Sequence, residues 1–237
     1  IRDRASKHQF EIYLKPATKE ISTIVISAGR RAQRVQDVPV SMEIIKPSLI
    51  DNKGFTDLEQ AVDQSPGVYT MDGQVSIRGG SGFAYGTGSR VLLLWNGMPL
   101  LSGYAGDTQW NAIPMEHASQ IEIMKGAASV LYGSGALNGV ISLTEKEPDF
   151  IRETKVKIQT GIYDNPKRSE LKWWSTSPMN QLIEFYTGKK LQKVGYTTSF
   201  AFFRNEGYRQ GEMELRGRLS GSLFFRFSEK SRLKAGI

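Results

Sequence analysis

Hydrophobic positions fall along this chain in two textures, and the change comes near residue 148. Before it, apolar runs are short, nearly continuous and bounded by glycine, proline or asparagine. Residues 91–95 (VLLLW) form the longest run, which predicts a strand buried on both faces. Asn96-Gly97 follows it directly and predicts a two-residue hairpin. Residues 40–45, 75–77, 121–123 and 140–144 predict further strands. Leu58, Ala61 and Val62 stand at helical spacing and are stopped by Pro66-Gly67, which predicts a short helix within 57–64. Residues 127–132 predict one more helical turn.

Beyond residue 148 the pattern becomes an alternation. Val156, Ile158 and Ile162 share one face, and Lys155, Lys157 and Gln159 share the other. Tyr196, Phe200 and Phe202 have one parity. Leu215, Leu219, Leu223, Phe225 and Phe227 alternate with Arg216, Arg218, Ser220, Ser222 and Arg226. Segments of about ten residues, apolar outward and polar inward, are the pattern of transmembrane β-barrel strands, although a soluble sandwich also alternates.

Charge follows the same division. Residues 1–21, 22–148 and 149–237 carry +2, −3 and +8 of the net +7. The basic excess is interleaved with apolar residues along strands, not gathered into a patch with aromatic partners, which argues against a nucleic-acid binder. The chain has no cysteine, so disulfides and thiolate metal sites are excluded. No apolar run approaches the ~20 residues of a membrane-spanning helix. The sequence opens on Ile1 without a signal peptide and stops at Ile237 inside a strand pattern, so it reads as a mature piece or a fragment.

Catalytic chemistry is not evident. The only histidines are His8 and His117, and neither a G-x-S-x-G elbow nor a phosphate-binding lysine loop occurs. Glu145 and Glu147 flank Lys146 and read as a solvated pair. The glycine-rich block at 133–139 departs from G-x-G-x-x-G at Asn138, and a strand follows it where a dinucleotide loop requires a helix. No enzyme, cofactor or metal site is expected.

The segment IEIMKGAASVLYGSGALNGVISLTEKEP (121–148) resembles the closing part of the plug domain of TonB-dependent outer-membrane receptors. Four further pieces resemble that family in the same order: Val38-Pro39-Val40-Ser41, the stretch from Asp57 through Val68, the strand Val75-Ser76-Ile77-Arg78-Gly79, and the hairpin from Val91 to Pro99. The resemblance implies an α+β plug, a small mixed sheet with short helices, followed by antiparallel transmembrane β-barrel strands. The chain would be a fragment of a plugged barrel of roughly 22 strands.

The domains implied are a linker or the end of a carboxypeptidase-regulatory-like β-sandwich (1–20), the TonB box (21–28), the plug (29–148) and the first barrel strands (149–237). Residues 10–14 equally suit a frayed terminal strand. Thr23, Ile24, Val25, Ile26, Ser27 and Ala28 fit the threonine–aliphatic–valine–alanine form of the box, although an ordinary edge strand has the same composition. An extended β-branched segment is what strand addition to TonB's sheet requires. Arg78, Gly79, Lys125, Gly126, Tyr132, Gly133 and Gly139 match the plug motif. Ligand contacts are expected from two loops, through Phe83 and Tyr85 in the first and Tyr104, Asp107, Gln109 and Trp110 in the second; packing of Trp110 against the barrel is the alternative.

The function implied is TonB-dependent import of a scarce ligand across the Gram-negative outer membrane. Partners would be periplasmic TonB with its inner-membrane motor, outer-membrane lipid, the unidentified ligand and a surface lipoprotein, with no nucleic acid. The alternative is a gate or structural subunit of a secretion or surface complex that lacks its own small ligand.

Overall fold

The computed structural model describes residues 24–25, 33–71, 73–80, 90–100, 110–228 and 231–236. In chain order, β1 (Ile24–Val25) pairs antiparallel with β2 (Gln33–Arg34), and β3 (Met42–Ile45) opens the first sheet. Helix α1 (Pro47–Lys53) follows, with Pro47 in its first turn and Gly54 ending it at φ 67°. The sequence pattern did not single out this helix, although proline at the start and a left-handed glycine at the end are the standard boundaries. Helix α2 (Leu58–Val62) is the one expected within 57–64. Asp57 caps it by accepting the Gln60 N–H at 2.9 Å, and Gln60 Oε1 accepts from the Thr56 N–H at 3.1 Å. The hairpin β4 (Val68–Met71) and β5 (Gln74–Ile77) comes next.

Strand β6 (Val91–Trp95) turns through Asn96 and Gly97, both at positive φ (50° and 82°), into β7 (Met98–Pro99). Two successive left-handed residues make the tight hairpin that Asn-Gly signals. Strand β8 (Ala118–Lys125), the turn of helix α3 (Ser129–Tyr132) and β9 (Gly139–Glu145) complete the unit. The sheet order is β3-β8-β9-β6-β7, with β6 parallel to β9. Alternate residues of β6 enter two cores. Val91 and Leu93 join Leu58, Val62, Ile121, Ile123, Ile141 and Leu143, while Leu92 and Leu94 join Met124, Ala136 and Val140 on the opposite face. Gly139 stands where β9 starts because a Cβ there would lie 2.5 Å from the Met124 carbonyl oxygen and 2.7 Å from Ile77 Cδ1.

The second unit is an antiparallel meander of β10 (Glu153–Ile162), β11 (Met179–Leu191), β12 (Val194–Asn205), β13 (Glu214–Arg226) and β14 (Arg232–Gly236), paired in that order. Its two faces differ as the alternation predicts. Val156, Ile158, Ile162, Phe200, Leu215, Leu219 and Leu223 are exposed, whereas Leu182, Tyr186, Thr197, Ser199, Ala201 and Phe203 are buried, with Tyr186, Thr197 and Ser199 in contact with the first unit. Its two ends differ as well. Gln192 and Lys193 alone join β11 to β12, and residues 227–231 join β13 to β14. The opposite end carries the longer connections 163–178 and 206–213.

Candidate functional site

The two units meet along the inward parity of the meander, and the contacts are mainly polar. Lys155 Nζ reaches Asp51 at 2.6 Å, and Lys157 Nζ and Gln159 Nε2 donate to the carbonyls of Phe55 and Gly54. Arg218 Nη2 pairs with Glu116 at 2.7 Å, and Ser199 Oγ donates to the other oxygen of the same carboxylate at 2.7 Å. Arg232 pairs with Glu147 at 3.0 Å.

Glu145, the last residue of β9, is the hub of this interface. Its Oε1 accepts from Thr197 Oγ1 at 2.9 Å and from His117 Nδ1 at 3.2 Å; its Oε2 accepts from Asn96 Nδ2 and Ser222 Oγ at 3.2 Å each, and pairs with Lys234. Asn96 also takes the Glu145 backbone N–H on its own Oδ1 at 2.9 Å. Burial alone would raise the Glu145 pKa. The hydrogen bonds from His117 and Lys234, with the charge of Lys234, outweigh it and hold the carboxyl near about 2, against an ordinary 4.5. The other ring nitrogen of His117, Nε2, is buried with no partner among the described residues. The ring of His117 stands edge-on to Tyr186 of β11 at 5.0 Å.

This corrects the reading of Glu145 and Glu147 as a solvated pair. Glu147 is exposed, but Glu145 is 3% exposed and holds strands of both units together. Glu116, His117, Thr197 and Ser199 were likewise not singled out. For Thr197 and Ser199 the signal was small polar residues on the inward parity of β12, between outward aromatics; Glu116 and His117 lie outside that strand.

The residues of the plug motif are described and serve the first unit itself. Arg78, at φ 54°, donates to Ser41 Oγ at 2.7 Å, and Gly79 follows at φ 67°. Lys125, 9% exposed, pairs with Glu43 and donates to the Pro66 carbonyl at 2.8 Å, joining β8 to β3 and to the turn after α2. The Gly126 N–H donates to Asn138 O at 3.1 Å, Tyr132 packs on the second core, and Gly133 (φ 82°) leads into the turn before Gly139.

Of the expected TonB box, Ile24 and Val25 form β1, with Ile24 opposite Arg34 and Val25 opposite Gln33. Thr23, Ile26, Ser27 and Ala28 lie outside the described residues, as do Phe83, Tyr85, Tyr104, Asp107 and Gln109. Trp110 is 5% exposed in the first core, and its Nε1–H donates to Gly73 O at 2.9 Å. Its indole is committed to the plug's interior and not to the cavity wall, because both its apolar area and its one donor are already used. Among the described residues no cluster of three or more acidic or histidine side chains could hold a metal ion.

Comparison with known proteins agrees with this arrangement. The TonB-dependent Receptor Plug Domain family model matches residues 34–140. The vitamin B12 transporter BtuB of Vibrio vulnificus is 29% identical over 199 residues, covering 81% of this chain and 29% of that protein. The ferrioxamine B receptor of Salmonella typhimurium is 30% identical over 164 residues, covering 64% and 22%. Among solved structures, the siderophore receptor PirA of Pseudomonas aeruginosa superposes with a TM-score of 0.61 at 22% identity, over 82% of this chain and 34% of that one. The ferripyoverdine receptor of the same organism gives 0.69 at 18% identity, over 90% and 27%. The chain thus spans less than a third of the length of these curated relatives. Residues 34–140 match the TonB-dependent receptor plug domain, and plug and meander together resemble the plug and adjoining barrel wall of these receptors.

Proposed function

We propose that the chain is the plug and adjoining wall of an outer-membrane importer, which takes up a scarce ligand and is energised by TonB through residues 23–28. The observation that carries this reading is a plug seated by its acidic groups on the inward face of a wall whose outward face is apolar. A membrane wall needs that outward face, and a removable stopper needs polar contacts that water can replace. The loops with Phe83, Tyr85, Tyr104, Asp107 and Gln109 would meet the ligand from outside. TonB would add a strand along Ile24 and Val25, and a surface lipoprotein would be a further partner.

The relatives named for vitamin B12 and ferrioxamine B suggest the compounds to try first. A strain lacking its own receptors for these compounds should regain accumulation of one of them when it carries the intact receptor, and lose it when TonB is deleted. Equal accumulation with and without TonB would overturn energised import and favour a gate or structural subunit.

A further inference from the structure

We propose that the cavity between plug and wall at the short-turn end of the barrel is a binding site for a small organic anion, the class of solute this sector of wall passes. The cavity has a volume of about 560 Å³, within the range of small-molecule sites. Plug residues Leu94, Ser142 and Thr144 line one side, and Gly195 and Phe224 line the wall side. Five cations border it (Lys190, Lys193, Arg226, Arg232 and Lys234) against two carboxylates, Glu145 and Glu147. Lys234 and Arg232 are paired with those carboxylates. Among the described residues, no ion pair joins a carboxylate to Lys190, Lys193 or Arg226. Lys193 and Arg226 are exposed where they border it, and Lys190 lies over the Phe150 ring at 4.8 Å; like charges around one concavity raise its potential and attract an anion.

A second observation points the same way. Among the described residues, four ion pairs cross the interface with the acid on the plug and the base on the wall: Asp51 with Lys155, Glu116 with Arg218, Glu145 with Lys234 and Glu147 with Arg232. Among the same residues Lys146 with Glu153, at the junction of the two units, is the reversed pair. When the plug moves, the wall is left with uncompensated bases, and an anion entering the gap replaces the carboxylates that were withdrawn. A cation would meet bare positive charge along the same face.

The site's position fixes its source of ligand. Short turns mark the periplasmic end of outer-membrane barrels, and the cavity borders Lys193 in the two-residue turn. Phe224 and Lys234 share the inward parity, so bilayer lipid does not reach them. The site therefore stands where a solute leaves the plug–wall boundary. The direction of passage rests on the import reading; the chemistry of the site does not.

Citrate is a suitable probe, titrated calorimetrically at low, fixed ionic strength into the intact receptor in detergent. Spermidine serves as the probe of opposite charge. The receptor should bind citrate and not spermidine. The K190Q/K193Q/R226Q variant should lose about tenfold or more in citrate affinity with an unchanged melting temperature, because all three side chains lie at the rim of the fold. Glu147→Gln should tighten citrate binding by releasing Arg232. Citrate bound equally well by the triple variant, or no binding by the parent at millimolar concentration, would overturn the site. The titration needs no TonB. A receptor that binds citrate through these cations yet imports nothing would refute import and leave the site standing.

Discussion

His117 Nδ1 lies 3.2 Å from Glu145 Oε1, and both side chains are 1% exposed. This contact closes the plug's own sheet at the point where Thr197, Ser222 and Lys234 of the wall converge on the same carboxylate. Glu145→Ala therefore removes the acceptor that Thr197 and His117 share. Removing one member of a buried pair costs about 3–5 kcal/mol, and the low end applies because Lys234 is 32% exposed and can hydrate. Denaturant unfolding of the intact receptor, followed by tryptophan fluorescence, should show a loss of that size. A loss under about 0.5 kcal/mol would mean the hub does not hold the plug.

The same carboxyl makes plug seating sensitive to acid. Its pKa falls from an ordinary 4.5 to about 2 in the folded chain, through His117 of the plug and Lys234 of the wall, so the folded state binds the proton less tightly than the unfolded one. The stabilisation, about 3 kcal/mol, is fully present above pH 4.5 and disappears as pH falls toward 2. Melting temperature measured from pH 6 to 2 should drop more steeply for the parent than for Glu145→Gln below pH 4.5. Parallel curves would assign acid sensitivity to other groups.

Trp110 and Tyr104 belong to one loop region but should behave differently. Trp110→Ala empties part of the plug core and leaves Gly73 O without its donor, a cost of about 3–5 kcal/mol in stability. Tyr104→Ala should leave stability unchanged and weaken ligand binding about tenfold, the size expected for loss of an aromatic contact. The two effects are read by thermal melting and by surface binding of labelled ligand. Unchanged affinity in Tyr104→Ala would remove it from the ligand surface.

Wall orientation can be read one strand at a time. Leu219, 74% exposed, and Arg216, which pairs with Glu214 at 3.1 Å, are on opposite parities of β13. A spin label at residue 219 should be relaxed by lipid-soluble oxygen, and one at 216 by a water-soluble nickel chelate. Equal relaxation of both by the chelate would remove β13 from the bilayer.

At the amino-terminal end β2 pairs with one edge of β1, and on the import reading the other edge of Ile24–Val25 is the one to which TonB would add a strand. Strand addition uses backbone donors, each worth about 1 kcal/mol net, and proline removes a donor and disturbs its neighbours. Ile24→Pro or Val25→Pro should abolish energised uptake while surface binding persists, and Ile24→Val should do neither. Normal uptake by the proline variants would move the coupling strand elsewhere.

Much of this fold could be read from local pattern, because its determinants are local. The run at 91–95, the Asn96-Gly97 turn and the parity of 154–162 and 215–227 each depend on neighbours within a few residues. Helix α1 escaped because it buries Ile50 while the adjacent Leu49 stays exposed, and two neighbouring apolar residues make no periodic stripe. Glu145 was misread for another reason. Charged and proline neighbours at 146–148 imply solvent, but its donors are Asn96 and His117 before it and Thr197, Ser222 and Lys234 up to 89 positions later. No local window contains those partners. Trp110 sits among loop residues, and only the fold turns its ring toward Gly73.

The two-faced wall also decides which media the chain tolerates. Ile158, Leu215 and Leu219 are 63–74% exposed on a sheet whose other face carries the lysines, arginines and serines that hold the plug. In plain buffer such a surface associates with copies of itself through its greasy side. Refolding from urea should therefore give a clear solution only when micelles or bilayers are present to take up the outward side chains.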